Sequence, residues 1–229
     1  MKIKGIIKYF SPFEWILWLS SLFLITFFFC IFDREGYLTL ISSYIGVTSL
    51  IFAAKGNPIG PALMIIFSIL YGIISFSFSY YGEMITYIGM TAPMSVFALV
   101  SWLRNPYQKN KAEVKVNKIT KREAIFALVI AAIVTAVFYF ILQEFNTANL
   151  IPSTISVTTS FLAVYLTWRR SPYYALAYAA NDVILIILWI LATIEDISYL
   201  SVTVCFGVFL VNDLYGFASW RKMQRRQEK

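Results

Sequence analysis

Eight apolar runs, each about as long as a bilayer is thick, leave this chain little choice of fold. They lie at Phe13 to Phe32, Leu38 to Ala54, Pro58 to Tyr80, Ile85 to Trp102, Ala124 to Leu142, Ser153 to Trp168, Tyr173 to Ile194 and Tyr199 to Trp220. A backbone N–H or C=O finds no water in hydrocarbon, so each run must pair its polar groups within itself, as a helix does. Composition agrees: 59% of residues are hydrophobic and 14% charged, with mean hydropathy +0.72, where an ordinary soluble domain carries roughly 25% charge. The expectation is an all-α integral membrane protein. With 229 residues in total, a folded soluble domain beside the bundle has no room.

The basic residues test the number of runs, because Lys and Arg collect in cytoplasmic connections. With the N-terminus inside, the inner segments hold Lys2, Lys4 and Lys8, then Lys55, then the seven between Arg104 and Arg122, then Arg169 and Arg170, then the five from Arg221 to Lys229. Only Arg34 of the 19 falls outside. A missed or extra span would scramble that pattern, so both termini and the connection from Asn105 to Glu123 are expected in the cytoplasm of a plasma-membrane protein. The first run imitates a secretory signal. It is followed by Cys30-Ile31-Phe32-Asp33-Arg34, which offers no small-x-small cleavage pattern, so a retained helix is expected.

Net charge +7 and pI near 9.3 would suit nucleic acid, but the charges sit where topology signals belong, and no nucleic acid is expected as a partner. The connection from Asn105 to Glu123 is read as a topology-fixing linker rather than a lipid-headgroup site. Histidine is absent from the sequence, which removes imidazole metal sites and His-based acid–base catalysis. Cys30 and Cys205 both lie in apolar surroundings, so no disulfide framework is expected. No metal or cofactor is expected either.

The chain also echoes itself. Thr48-Ser49-Leu50 resembles Thr159-Ser160-Phe161, Gly56-Asn57-Pro58 resembles Arg170-Ser171-Pro172, and Val100-Ser101-Trp102 resembles Ala218-Ser219-Trp220. The pairs keep their order and their places within a three-span unit, which makes spans two to four and six to eight copies of one another. Span five is then a linker, and the copies run parallel, as in SWEET-like transporters. The organisation expected is an N-terminal helix over 1–35, a first repeat over 36–104, a basic linker with its helix over 105–150, a second repeat over 151–222 and a tail over 223–229.

Two Asn-Asp pairs, Asn181-Asp182 and Asn212-Asp213, sit inside apolar runs. A carboxylate at mid-membrane costs about 3 kcal/mol, so each needs a compensating reason, and the usual one is a site for a solute that crosses. At 1.5 Å per residue Asp182 lies about 16 Å and Asp213 about 12 Å above the basic ends of their helices. In span seven Tyr178, Asp182, Leu185 and Trp189 recur on one face, with Asn181 beside them. In span eight Asn212, Tyr215, Gly216 and Ser219 share one face, while Asp213, Gly216 and Trp220 share the next. A stripe of carboxylate, amide and aromatic rings suits a polar solute with a ring, hydroxyls or a positive charge. The first-half candidates are Ser68, Tyr71 and Ser75, with Tyr87, Thr91 and Ser95 on the following span; Thr159 belongs to the second repeat. Trp102 and Trp220, near the basic boundary, are expected as interfacial anchors. An intramembrane aspartyl protease is the rival, but neither aspartate follows the glycine such a motif requires, so no enzyme is expected.

The run from Ser153 to Phe161, Arg169-Arg170-Ser171-Pro172, Asn181-Asp182 with Trp189, and Asn212-Asp213-Leu214-Tyr215-Gly216 with Trp220 resembles the PnuC-type vitamin transporters over roughly Gly36 to Lys222. The resemblance implies uptake of nicotinamide riboside by facilitated diffusion, trapping of the product by a cytoplasmic kinase, and a homotrimer with one pathway per subunit. In some members an extra N-terminal helix precedes the core, as Phe13 to Phe32 does here. This chain departs from the family's Trp-x-x-Trp-x-x-x-Asn pattern, with Ala175, Tyr178 and Asp182 at the matching places. It departs again with Asp213 for the Asn of Asn-x-Tyr-Gly-x-x-x-Trp. Thiamine, riboflavin and deoxynucleosides, carried by relatives of this family, are the alternative solutes.

Overall fold

A computed structural model describes residues 9–78, 80–108 and 110–229. Lys2, Lys4, Lys8 and Lys109, which contribute to the charge argument, lie outside the described residues. All eight apolar runs are helices long enough to cross a membrane. We number them α1 (Pro12–Asp33), α2 (Tyr37–Ala54), α3 (Ile59–Ser77), α4 (Tyr81–Arg104), α5 (Lys121–Glu144), α6 (Leu150–Trp168), α7 (Tyr174–Glu195) and α8 (Leu200–Gln227). Boundaries differ from the sequence reading in two consequential places. Helix α4 starts four residues earlier than Ile85, which draws Glu83 into the bundle, and α8 continues past Trp220 to Gln227.

Local chemistry sets the ends. Ser11 caps α1 in a reciprocal capping box with Glu14, and Pro12 occupies the first turn, where no N–H is needed. Thr120 caps α5 through the Glu123 N–H. Helix α2 stops at a turn in which Gly56 takes φ +66°, and α6 stops at the corresponding turn in which Arg170 takes φ +57°. Between α2 and α3 the backbones touch: a Cβ on Gly60 would lie 2.7 Å from the Ala53 nitrogen, and the Ser49 hydroxyl reaches the Gly60 carbonyl at 2.8 Å. Small residues at such a crossing are how membrane helices gain close packing.

Helices α2, α3 and α4 pack together, as do α6, α7 and α8. The groups meet along two seams, α2 against α8 and α4 against α6. Helix α1 lies on α2 and α8, and α5 lies on α6. Both leave most of their apolar surface outward, including Ile16, Phe23, Phe27, Ile125, Ile133 and Phe140, as a helix solvated by lipid does.

At the basic end the seams are fastened reciprocally. The Trp220 indole N–H donates to the Ala53 carbonyl at 2.7 Å and the Ser219 hydroxyl to the Ala54 carbonyl at 2.7 Å. The Trp102 indole N–H donates to the Thr167 carbonyl at 2.9 Å and the Ser101 hydroxyl to the Trp168 carbonyl at 2.9 Å. Each pair satisfies C-terminal carbonyls that a helix cannot pair internally. The two indoles pack on each other at 5.3 Å. This corrects the reading of Trp102 and Trp220 as interfacial anchors: they are 1% and 0% exposed, because an indole N–H that finds a buried carbonyl gains more than one left at the headgroups. Beneath them, Pro106–Tyr107 and Asn110–Val114 form a short antiparallel hairpin. Its continuation touches both turns, with the Val114 N–H on the Gly56 carbonyl and the Asn117 N–H on the Arg170 carbonyl, each at 2.9 Å. The extension of α8 holds the hairpin through an Arg226–Glu113 ion pair and Gln227.

Candidate functional site

Helix α7 carries Asp182 and α8 carries Asp213, each only 3% exposed. The α7–α8 packing brings their carboxyl groups within hydrogen-bonding reach of each other. Asp182 Oδ2 has no partner among the described residues. Two carboxylates in contact repel when both are ionised, so the pair needs either a shared proton or a cation lodged against it. Tyr178, one turn before Asp182, is buried within electrostatic reach of both acids.

Asn181, beside the pair, is held by α6. Its Oδ1 faces the hydroxyls of Thr159 at 2.8 Å, Ser160 at 3.0 Å and Ser156 at 3.4 Å, while its Nδ2 points to the Tyr87 hydroxyl at 3.5 Å. Three donors converge on an oxygen with two lone pairs, so at least one is available for another acceptor. Two turns beyond Asp182 on α7, Trp189 is fully buried and its indole N–H donates to the Tyr71 hydroxyl at 2.8 Å. Tyr71 in turn packs edge-on against Tyr87 with ring centres 4.5 Å apart. Helices α3, α4, α6, α7 and α8 thus supply one polar, aromatic-lined interior.

The remaining sequence candidates sit differently. The Ser68 hydroxyl is buried and returns to the Met64 carbonyl of its own helix at 2.7 Å. Asn212 and Tyr215 turn toward α1: the Asn212 Nδ2 donates to Ser21 at 3.0 Å, and the Tyr215 hydroxyl donates to Glu14 at 2.8 Å. Ser95 lines, with Ser49, Thr167, Tyr174 and Tyr178, a cavity of only about 20 Å³ between the helix groups. Small-molecule sites usually offer about 300 Å³ or more, so this cavity is too small to hold a solute. A wider space of about 580 Å³ opens at the basic end between α1, the hairpin and α8, lined by Glu14, Lys55, Tyr215, Lys222 and Arg226 among others.

Two buried acids escaped the sequence reading. Glu14 is 4% exposed and is paired with Lys55 at 3.0 Å; the Ser11-x-x-Glu14 spacing marks a capping box but does not disclose the ion pair. Glu83 is 1% exposed; starting the fourth span at Ile85 left it in a loop. Outside the spans, burial and the neighbouring Arg169 draw the Arg170 guanidinium below its ordinary pKa, and its Nη1 is held by Ser101 at 2.7 Å.

Comparison with known proteins bears on what this interior serves. Residues 36–222 match the family described as nicotinamide mononucleotide transporter. The nicotinamide riboside transporter PnuC of Neisseria mucosa is 23% identical over 201 residues, 86% of this chain and 76% of that protein. The nicotinamide riboside transporter PnuC of Haemophilus influenzae is 20% identical over 217 residues, 94% and 92% of the two chains. A crystal structure of the vitamin B3 transporter PnuC superposes with a TM-score of 0.83 at 21% identity, covering 95% of this chain and 94% of the other.

Proposed function

The chain belongs to the nicotinamide mononucleotide transporter family of multi-pass membrane proteins, and from that premise we propose that its solute is nicotinamide riboside, taken up by facilitated diffusion and trapped inside by phosphorylation. The observation that carries the reading is the Asp182–Asp213 pair, two buried acids that form no ion pair with a basic residue among the described residues. A pyridinium ring lodged against the pair supplies the missing positive charge, and its flat face suits Trp189, Tyr71 and Tyr87. Ribose hydroxyls suit Asn181 and the Thr159 and Ser160 hydroxyls grouped around it. The two relatives named as riboside transporters support the same solute.

The mononucleotide is excluded on this reading. Its phosphate would face two acids, and the interior of every span lacks Lys and Arg to receive it. Thiamine also carries a ring cation and is the competing solute; riboflavin and deoxynucleosides lack one.

In this arrangement the basic end is cytoplasmic, with both termini and the hairpin on that side. The halves 36–104 and 151–222 act as parallel repeats; the reciprocal fastening of Trp220 to Ala53 and Trp102 to Thr167 supports that symmetry. The working unit is a homotrimer. Calorimetry of the purified protein with riboside, mononucleotide, thiamine and riboflavin tests the choice: riboside is expected to bind, and the mononucleotide at least about tenfold more weakly, a difference of 1.4 kcal/mol. Mononucleotide binding as tight as riboside binding would remove this reading.

A further inference from the structure

Of the two buried acids that the proposed site does not use, Glu14 is paired with Lys55 and Glu83 is not. Among the described residues it has no ion pair, and neither carboxyl oxygen has a hydrogen-bond partner of ordinary geometry. The Ser156 hydroxyl, which interacts with Glu83, also stands 3.4 Å from Asn181 Oδ1. Arg34, the basic residue at this end of the bundle among the described residues, is exposed and its Nε donates to the Cys30 carbonyl at 2.9 Å. An unpaired buried carboxyl is costly, and in membranes such residues mark the paths of solutes.

Its surroundings specify the kind of solute. Tyr71, Tyr80 and Tyr87 all lie within electrostatic reach of Glu83. Tyr80 and Tyr87 flank Glu83 in sequence, three residues before it and four after; Tyr80 packs on Trp189 at 5.2 Å and Tyr71 on Trp189 at 6.4 Å, so these rings join the segment carrying Glu83 to the proposed site. Tyr87 is the junction: it lies within reach of both Glu83 and Asp182. Directly after Glu83 the helix widens to i→i+5 hydrogen bonding over Ile85–Thr91, a distortion that recurs at functional sites. Thr86 on that segment and Thr147 before α6 bury hydroxyls with no hydrogen-bond partner among the described residues. No group of three or more acidic or thiol side chains able to hold a metal ion is present among the described residues. One carboxyl among aromatic rings fits a large delocalised cation instead.

We propose that Glu83, with Tyr71, Tyr80 and Tyr87, forms a second cation site, on the far side of the aspartate pair from the basic end, where the pyridinium ring rests during passage. The inference rests on the riboside reading above and adds a residue that selects for charge. The test compares nicotinamide riboside with its dihydro form, which has nearly the same shape and no charge, in liposomes containing the purified full chain. Glu83→Gln is expected to lower the ratio of cation uptake to neutral uptake about tenfold, and Glu83→Asp to retain the cation preference. A second measurement needs no variant: carbodiimide labelling of Glu83 in the native protein, followed by mass spectrometry, is expected to slow with the riboside and not with the dihydro form. An unchanged uptake ratio in Glu83→Gln, or labelling indifferent to both solutes, overturns the site while leaving the riboside reading intact. A native protein that carries neither form overturns that reading, and the Glu83 site with it.

Discussion

At the scale of single residues, Asp182 and Asp213 put two buried acids side by side in the interior. Replacing either by Asn keeps an acceptor and removes the charge that a pyridinium ring would meet. Asp182→Asn and Asp213→Asn are each expected to weaken riboside binding by about tenfold or more, roughly 1.4 kcal/mol, in a calorimetric titration; affinities unchanged from the native protein would take the carboxyls out of the site. Both acids were legible in the sequence, because a carboxylate in a 20-residue apolar run needs a reason. So was the stripe from Tyr178 to Trp189, because it follows the helical period. The facing of Asn212 and Tyr215 was not. Successive helix positions differ by about 100°, so Asn212 cannot face the way its neighbour Asp213 does, and the period alone does not say which helix covers each face. Here α1 covers Asn212 through Ser21 and Tyr215 through Glu14.

Among elements, α1 is the informative case, since it precedes the residues that match the family and still touches the core at polar points. Lys55 answers the buried Glu14 at 3.0 Å, with Lys55 keeping 22% of its side chain exposed. Removing the lysine leaves the buried carboxylate with the Tyr215 hydroxyl and the Ser11 N–H but no counter-charge, a costlier state than having neither charge. Lys55→Ala is therefore expected to destabilise the protein by about 2 kcal/mol, partial exposure trimming the cost of a fully buried pair, and Glu14→Gln combined with Lys55→Met to recover much of the loss in a thermal unfolding scan in detergent. A Lys55→Ala melting curve that overlays the native one would show the pair to be solvated. The seams allow a paired test: Trp102→Phe and Trp220→Phe each remove one buried hydrogen bond, worth about 1 kcal/mol, and the reciprocal geometry calls for similar losses, whereas a loss confined to one of them would contradict the equivalence of the two seams. The spans themselves were legible because hydrocarbon permits one backbone solution for a long apolar run. The start of α4 was not, since Tyr81-Gly82-Glu83 reads as a loop until the neighbouring helices are seen to bury it. Nor was the role of Trp102 and Trp220, because an indole near a basic flank reads the same whether it faces headgroups or the other half of its own chain.

For the molecule as a whole, the narrow cavity between the helix groups and the hairpin across the basic end imply a moving part. The strand residue Val114 and the following Asn117 each hold one of the two turns that end α2 and α6, so widening the bundle at that end must break or stretch those bonds. On the proposal that the basic end faces the cytoplasm, a single cysteine placed at Lys115 is expected to resist impermeant labelling from outside while one at Glu195 reacts; the opposite order would invert the topology. Whether the motion is coupled to an ion follows from what the interior contains. An ion-driven carrier needs a group that holds a proton or sodium differently in its two facing states, and, with Glu14 already paired to Lys55, the buried acids among the described residues that could do so are Asp182, Asp213 and Glu83, beside buried tyrosines. If the solute is a cation, those carboxyls serve as its counter-ions, and a co-transported cation would compete with the solute for the same oxygens instead of accompanying it. The expected behaviour is therefore uniport: in liposomes containing the purified protein, riboside equilibrates across the membrane and stops, at a level insensitive to imposed proton and sodium gradients, and accumulation in cells comes from the phosphorylation step alone. Unmodified riboside concentrated inside such liposomes above the outside level by either gradient would show that one of these acids couples to an ion and that the counter-ion assignment is wrong.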